Sequence, residues 1–214
     1  MKIAIIDYGM GNLFSVQHAC RFVGLEPIVT SDSSQILSSE GAILPGVGAF
    51  GRAMTYLKDL GLVETIKAFI HTGKPFMGIC LGMQLLFSES EEFGATRGLD
   101  IIKGQVLKFP SQHNGEMMKI PQISWNRIHK KLKDDASSPL NGVRDNEFMY
   151  FVHSYYAQCQ EKDIVSTTTK YAGVEYCSSI LKDNIFATQF HPEKSADKGI
   201  HIYKNWAMLI KTNP

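Results

Sequence analysis

The segment GICLG at residues 78–82 places Cys80 between two glycines, where an apolar run ends and a helical pattern begins. A strand, a sharp turn and a helix in this order form a nucleophile elbow, whose central side chain is exposed on a strained backbone. The glycines remove Cβ atoms that would collide with the neighbouring strand and helix. The turn would also place the sulfur at a helix N-terminus, which favours the thiolate. The local pattern leaves two interpretations open, a nucleophile and a small packed core residue.

A thiol nucleophile needs a base and a group that orients the base. His191 directly follows the apolar run IFATQF, so it should emerge at the same edge of a parallel sheet as Cys80. Glu193 lies two residues further on and could reach back to the imidazole. Together they would act as a Ser-His-Asp triad does, with different atoms. A capping or surface histidine is the alternative, and a zinc deaminase is disfavoured because its P-C-x-x-C segment is missing.

Residues 46–51, GVGAFG, formally match the GxGxxG fingerprint of dinucleotide-binding proteins. Three observations count against a nucleotide: Pro45 precedes the first glycine, the match follows the third predicted strand instead of the first, and the next strand ends in Cys80 where an acidic residue is needed. The glycines still allow backbone amides to approach a ligand closely. We expect these amides to face a developing negative charge.

The 214-residue chain has the composition of an ordinary soluble globular protein, with 44% hydrophobic residues, 20% charged residues and a formal net charge of +1. That charge gives no electrostatic reason to expect nucleic acid or a membrane as a partner. No apolar stretch is long enough for a signal peptide or a membrane span. None of the four cysteines forms a CxxC pair, which argues against structural zinc. We expect a cytoplasmic protein with reduced thiols, in which Cys20, Cys159 and Cys177 are packing residues.

Strands and helices alternate along the first part of the chain, which is typical of βαβ units and a mainly parallel sheet. From residue 100 to about 180 the runs are short, and we expect antiparallel strands there, laid on the end of the parallel sheet. No repeat or linker is visible, so we expect a single domain over residues 1–214. The predicted strands are 2–7, 26–30, 41–46, 75–80 and 185–190. The predicted helices are one ending near residue 24, a short capped one that starts in SDSSQI (31–36), 49–58, 62–72, one leaving directly from Leu81, and a C-terminal helix with Ala196, Ile200, Tyr203, Ala207 and Ile210 on one face.

The segments GICLGMQ and QFHPEKS together resemble the class I (triad-type) glutamine amidotransferases. DYGMGNLFSV, LPGVGAF and YFVHSYY extend the resemblance from residue 3 to about 208, and they fit the branch of glutaminase subunits that serves histidine biosynthesis. The resemblance implies a flavodoxin-like α/β fold, with a mainly parallel sheet flanked by helices and an added antiparallel β segment. It also implies a site with no metal and no bound cofactor.

The resemblance further implies a reaction. Cys80 attacks the side-chain amide of L-glutamine, His191 moves the proton and Glu193 orients the ring. A γ-glutamyl thioester forms and is hydrolysed to glutamate, with release of ammonia. The oxyanion would rest on the amides of Leu81 and Val47, and the Val47 amide is expected to need a peptide flip that waits for the partner. The residues that match the family's glutamine-binding positions are Gly46, Gly48, Gln84, His153, Ser154 and Tyr155, although the HSY segment could be an ordinary strand end.

Members of this branch pass ammonia through a channel to a (β/α)8-barrel cyclase subunit in a heterodimer, which makes imidazole glycerol phosphate and an aminoimidazole carboxamide ribotide. The family usually shows P-H-[IM]-G-W-N near the partner interface, whereas residues 121–126 read PQISWN. Gln122 and Ser124 depart from that pattern, while Trp125 and Asn126 are retained as expected interface residues. Trp125 could instead be a core aromatic.

Three alternatives remain open at this point. A paralogous subunit could supply ammonia to a sugar amidotransferase of surface-polysaccharide synthesis, which the departures in PQISWN would fit. A catalytically dead binding subunit is disfavoured by the intact Cys80, His191 and Glu193. A cysteine peptidase or deglycase of similar fold is disfavoured by Gln84 and the HSY segment, which such enzymes lack.

Overall fold

The structure is a computed structural model and describes residues 1–131 and 138–212. Strands and helices alternate over the first 84 residues, as expected from the sequence. They are β1 (Lys2–Ile6), α1 (Leu13–Phe22), β2 (Glu26–Thr30), α2 (Ser33–Ser38), β3 (Gly41–Gly46), α3 (Phe50–Asp59), α4 (Leu62–His71), β4 (Phe76–Cys80) and α5 (Leu81–Gln84). Asp32 caps α2 by accepting a hydrogen bond from the Gln35 N–H, which confirms the predicted capped helix.

The rest of the described chain is mostly strand. Its strands are β5 (Phe87–Ser90), β6 (Thr96–Arg97), β7 (Ile102–Lys108), β8 (Gln112–His113), β9 (Glu116–Met117), β10 (Gln122–Arg127), β11 (His129–Lys130), β12 (Phe148–His153), β13 (Tyr155–Cys159), β14 (Val165–Tyr171), β15 (Val174–Lys182) and β16 (Ile185–Thr188). A 3₁₀ turn at Pro192–Lys194 and helix α6 (Ala196–Thr212) follow. The segment YFVHSYY is divided at Ser154 into β12 and β13, which belong to different sheets. The prediction of one domain over 1–214 includes residues 132–137 and 213–214, which lie outside the described residues.

The main sheet is parallel in one half and largely antiparallel in the other. Strands β2, β1, β3, β4 and β16 lie side by side and run parallel. Strand β15 pairs antiparallel with β16 and begins the second half, which continues through β13 and β7. Because β3, β4 and β16 are buried along their whole lengths, their sequences read as continuous apolar runs. This arrangement confirms the predicted mainly parallel sheet with an added antiparallel segment.

Strand register brings the chemically interesting segments to one edge of this sheet. Gly46 at the end of β3 is paired with Cys80 at the end of β4. On the other side of β4, Ile79 is paired with Thr188 at the end of β16, so the chain leaves β16 beside Cys80 and continues to His191. Three parallel strands therefore bring the glycine loop (residues 46–51), Cys80 and His191 to the same carboxyl edge, where open α/β sheets bind ligands.

One helix prediction is confirmed, and the predicted buried face of another needs correction. The helix predicted to leave from Leu81 is a single turn, because the carbonyls of Leu85 and Leu86 accept hydrogen bonds from the 99–102 segment and the chain turns into β5. In α6, Ala196 is exposed with a φ of 49° at the helix start, whereas Trp206, absent from the predicted face, is buried. None of the helices within residues 1–131 and 138–212 is long and apolar enough to cross a membrane.

Candidate active site

Cys80 adopts the strained conformation of a nucleophile elbow, with φ 55° and ψ −110°. A non-glycine residue in such a region costs about 1–3 kcal/mol and persists only where its surroundings impose it. A Cβ on Gly82 would overlap the Leu44 carbonyl, and a Cβ on Gly78 would lie 3.2 Å from that of Ala187. The close approach of β3 therefore requires glycine at position 82, and the approach of β16 leaves little room for a side chain at position 78.

His191 and Glu193 form a buried pair directly behind the elbow. His191 Nδ1 lies 2.7 Å from Glu193 Oε1, and the two side chains are 2% and 1% exposed. The turn that holds them is fixed at both ends: the His191 N–H donates to the Tyr150 carbonyl at 2.9 Å, and the Ser195 hydroxyl donates to the His191 carbonyl at 2.7 Å. With Nδ1 engaged by the carboxylate, Nε2 is the nitrogen left for the thiol.

The electrostatics of this pair favour a protonated imidazole. Burial alone would lower the pKa of His191, but the negative charges of Cys80 and Glu193 outweigh burial and raise that pKa to about 10. Contact with Cys80 acts in the same direction as these charges, although Nε2 makes no hydrogen bond of normal geometry within the described residues. The arrangement supports a thiolate–imidazolium pair oriented by a carboxylate.

Gln189 also contacts Cys80 and was not singled out in the sequence. Its Nε2 lies 3.6 Å from the Cys80 sulfur, and its Oε1 accepts a hydrogen bond from Gln84 Nε2 at 2.9 Å. Gln84 Nε2 also donates to the Tyr155 carbonyl at 2.8 Å. Gln189 is fully buried. The signal that could have identified it is a glutamine within the mainly apolar run IFATQF, because a buried polar side chain needs hydrogen-bond partners.

An open cavity of about 720 Å³ lies in front of Cys80. It brings together eight of the predicted site residues: Val47, Gly48, Cys80, Leu81, Gln84, His153, Ser154 and Tyr155. Gly46 is not among the lining residues, since it lies beneath the elbow, where a Cβ would approach that of Leu81 to 2.9 Å. His191 and Glu193 are also absent from the lining and support Cys80 from behind.

Two charged residues in the cavity wall were missed by the sequence analysis. Glu92 and Lys108 both line the cavity. The Glu92 carboxylate is held in place by a hydrogen bond from the Phe50 N–H at the start of α3. Opposite charges on one cavity wall suit the ammonium and carboxylate of a free amino acid. Glu92 belongs to the acidic run SESEE, whose sequence alone is typical of a solvated loop.

His153 is a neutral part of the cavity wall. Burial lowers the pKa of His153 to about 4. Its Nδ1 lies 2.8 Å from the Tyr155 carbonyl and its Nε2 lies 3.3 Å from the Tyr176 hydroxyl. That hydroxyl is 3.0 Å from Oε1 of Gln122, which is fully buried. The side chain of His153 therefore braces the wall and presents no charge to the cavity at neutral pH.

The two expected interface residues differ in environment. Trp125 is 48% exposed and packs edge-on against Tyr150, with ring centroids 6.1 Å apart. Asn126, the next residue, lies on the opposite face of β10, and its side chain donates to the Lys170 carbonyl at 3.0 Å. Ile123 and Phe148 are also exposed on the β10–β12 ribbon, so Trp125 belongs to an outward apolar face. The placement of Trp125 does not fit a core aromatic.

Comparison with known proteins places this site in a family. Residues 4–209 match the family described as glutamine amidotransferase class-I. The chain is 49% identical over 208 residues to imidazole glycerol phosphate synthase subunit HisH of Geobacter metallireducens, covering 96% of this chain and 97% of that protein. It is 48% identical to the protein of the same name from Caldanaerobacter subterraneus subsp. tengcongensis, covering 98% of each.

Solved structures agree on the fold. The structure of PurLQS from Thermotoga maritima has a TM-score of 0.72 at 18% identity, covering 99% of this chain and 97% of that chain. The glutaminase domain of Trypanosoma brucei CTPS with bound acivicin has a TM-score of 0.69 at 16% identity, covering all of this chain and 95% of that chain. At these identities the likeness concerns the fold alone. The match over residues 4–209 and the near-full-length relatives show that the chain belongs to the class-I glutamine amidotransferase family.

Proposed function

We propose that the chain is the glutamine-hydrolysing subunit of an imidazole glycerol phosphate synthase, acting in histidine biosynthesis. The relatives that carry this name align with nearly the whole chain, which supports the histidine pathway over a sugar amidotransferase. The observation that carries the glutaminase chemistry is the buried His191–Glu193 pair behind the strained Cys80, at the end of a cavity. All four cysteines are unpaired, which fits a cytoplasmic enzyme with reduced thiols.

The first half of the reaction is acylation of Cys80. The thiol proton passes to His191 Nε2, and the sulfur attacks the side-chain carbonyl carbon of glutamine. A C–S bond forms as the carbonyl π electrons move to oxygen. When the tetrahedral intermediate collapses, the C–N bond breaks and His191 returns the proton to the departing ammonia. Glu193 stabilises the imidazolium in the interval.

The second half is hydrolysis of the γ-glutamyl thioester. A water molecule gives its proton to His191 and attacks the acyl carbon, and the thiolate leaves to regenerate the enzyme with release of glutamate. In both halves the oxyanion would rest on the Leu81 amide and on a second amide from the glycine loop. The Val47 N–H belongs to the Gly46–Val47 peptide, and a glycine at position 46 tolerates the change in ψ that a flip of this peptide requires.

The substrate amino acid would be held by the charges of the cavity wall. We infer that Glu92 receives the α-ammonium group and Lys108 the α-carboxylate, since both line the cavity and carry opposite charges. Gln84, Ser154 and Tyr155 line the same cavity. A free amino acid with a side-chain amide satisfies both charges and presents its amide carbon to the sulfur, whereas a peptide bond would leave the charges unpaired.

The partner would be a (β/α)8-barrel cyclase that forms a heterodimer with this chain. The exposed apolar face around Trp125 is the surface that fits such a partner. Tyr150 links that face to the triad, since its ring contacts Trp125 and lies 6.4 Å from the His191 ring. Docking next to the triad would keep ammonia away from water, where protonation would destroy its nucleophilicity.

The test is glutamate release by the purified chain, measured alone and with a histidine-pathway cyclase and its ribotide substrate. We expect little turnover by the chain alone and a large increase with the loaded cyclase. No increase with the cyclase would contradict the histidine-pathway assignment. A parallel assay measures glutamate release in the presence of a sugar amidotransferase. An increase there would indicate the paralogous function, which the departures at Gln122 and Ser124 would fit.

A further inference from the structure

A chain of side-chain amides joins the cavity wall to the sulfur of Cys80. Gln84 Nε2 donates to the Tyr155 carbonyl at 2.8 Å and to Gln189 Oε1 at 2.9 Å. This series of hydrogen-bonded amides ends at Gln189 Nε2, which lies 3.6 Å from Cys80 Sγ. Because Gln189 is fully buried and Gln84 nearly so, bulk water does not compete for these hydrogen bonds.

The Tyr155 carbonyl sets the direction of every hydrogen bond in this chain. A carbonyl oxygen only accepts, so the Gln84 amide must turn its nitrogen toward it. The second N–H of that nitrogen then meets the oxygen of Gln189, which leaves the Gln189 nitrogen facing Cys80. Rotating either amide by 180° would bring two oxygens or two N–H groups together. The hydrogen-bond pattern therefore presents a donor to the sulfur.

We propose that Gln189 is a further catalytic residue, which stabilises the Cys80 thiolate by donating a hydrogen bond to its sulfur. This inference rests on the proposed function, since it assigns Gln189 to the thiol that attacks glutamine. The Val152 carbonyl lies 3.9 Å from the same sulfur and can only accept the S–H proton, so it favours the neutral thiol. The Gln189 N–H opposes that preference and favours the charged form, because a buried donor binds a charged acceptor more strongly than a neutral one.

The donor matters at two points of the reaction. Before attack, it increases the population of thiolate while His191 holds the thiol proton. During hydrolysis of the thioester, the C–S bond breaks and the electron pair returns to sulfur, where the same N–H receives the developing charge. Gln189 would therefore assist both formation and departure of the thiolate, and its loss should lower kcat.

The test compares Gln189→Met with Gln189→Glu, and Gln158→Met is the matched control. Methionine keeps the length of the side chain but has no donor. Glutamate keeps its shape but presents an oxygen to the sulfur. Gln158 is an exposed glutamine on β13 outside the amide chain. The primary readout is the rate at which iodoacetamide alkylates Cys80 at pH 7, followed by peptide mass spectrometry on protein checked for folding by circular dichroism.

We expect Gln189→Met to alkylate roughly 10-fold more slowly than wild type, and Gln189→Glu more slowly still, with Gln158→Met unchanged. The kcat for glutamate release with the cyclase should fall in the same order. If Gln189 only fills space, Gln189→Glu, the closer match in shape, would alkylate at the wild-type rate and Gln189→Met would be the slower; that order overturns the proposal.

Alkylation needs neither glutamine nor the cyclase, so this test is separable from the proposed function. A wild-type chain that alkylates readily but releases no glutamate with the cyclase would contradict the proposed function and still leave the ranking of the variants measurable. If Gln189→Glu does not fold, the folded Gln189→Met variant decides alone. In that case a wild-type alkylation rate overturns the inference.

Discussion

Nδ1 of His191 lies 2.7 Å from Oε1 of Glu193, in a pair whose two side chains are almost completely removed from water. This short contact leaves only Nε2 free to exchange a proton with Cys80. It also makes the charge of His191 part of the stability of the fold, because an imidazolium buried between two anions is favoured over a neutral ring.

The first prediction concerns stability against pH. The folded pKa of His191, about 10, lies above the ordinary value of 6.5 that applies when the chain is unfolded. The stabilising contribution is therefore complete below pH 6.5 and is lost as the pH rises toward 10. Urea unfolding at pH 7 and pH 10 should show a smaller free energy of unfolding at the higher pH.

The matched control for this prediction is His191→Gln, which cannot be charged. Subtracting its pH dependence from that of wild type removes the contributions of all groups that do not interact with His191. The difference in free energy of unfolding between wild type and His191→Gln should shrink between pH 7 and pH 10. A constant difference over that range would show that His191 is not held as an imidazolium in the folded protein.

The second prediction concerns Glu92, which faces the cavity without touching Cys80. Glu92→Gln should raise KM for glutamine by about 10- to 100-fold, since one charge-assisted contact to the α-ammonium is lost. The kcat should change much less, because the triad is intact. Glu64→Gln, an exposed carboxylate on α4, is the control. If kcat instead falls by a similar factor and KM does not change, Glu92 acts in the chemical step and not in substrate binding.

The third prediction compares the effect on stability of alanine substitution at two glycines, Gly82 directly after the elbow and Gly51 in α3. Gly82→Ala should destabilise the fold by roughly 1–3 kcal/mol or more, because its Cβ would overlap the Leu44 carbonyl. Gly51→Ala should be neutral or stabilising by up to about 1 kcal/mol, because Gly51 is helical and its Cβ would meet Thr96 Oγ1 at an ordinary 3.5 Å. Chemical denaturation measures both. Equal effects of the two substitutions would contradict the close approach at the elbow.

Much of this site is readable in the sequence, and the missing parts share a cause. Cys80, His191 and Glu193 lie next to strand ends, so an apolar run and its last residue are enough to locate them. Gln189 and Glu92 were missed because their roles depend on neighbours distant in sequence, Gln84 for one and Phe50 for the other. A local pattern marks Gln189 as a polar residue in an apolar run, but it does not show which residues Gln189 and Glu92 contact.

The fold shows the same limit. The parallel strands were predicted to within one or two residues, and for β3, β4 and β16 the reason is that burial on both faces leaves a continuous apolar signature. The helix predicted to leave from Leu81 is present, but its single turn could not be predicted, because the hydrogen bonds from the 99–102 segment that end it lie beyond the reach of helical periodicity. The single-domain assignment over residues 1–214 stays a prediction.

The fourth prediction concerns the partner surface. Trp125→Ala should weaken binding of the cyclase by about 2 kcal/mol or more, since exposed tryptophans at interfaces commonly dominate affinity. Alkylation of Cys80 in the isolated chain should not change. Leu60→Ala is the control, because Leu60 is similarly exposed but lies at the end of α3, away from the carboxyl edge of the sheet. Isothermal titration of the cyclase decides, and equal affinity of both variants would remove Trp125 from the interface.

The central claim is that Cys80 alone attacks the amide of glutamine. The most direct measurement is covalent labelling by a glutamine-analogue electrophile, followed by peptide mapping of all four cysteines. We predict that the label is found on Cys80, that free glutamine slows the labelling, and that Cys20, Cys159 and Cys177 remain unmodified. Labelling that spares Cys80, or that glutamine does not slow, would contradict the account.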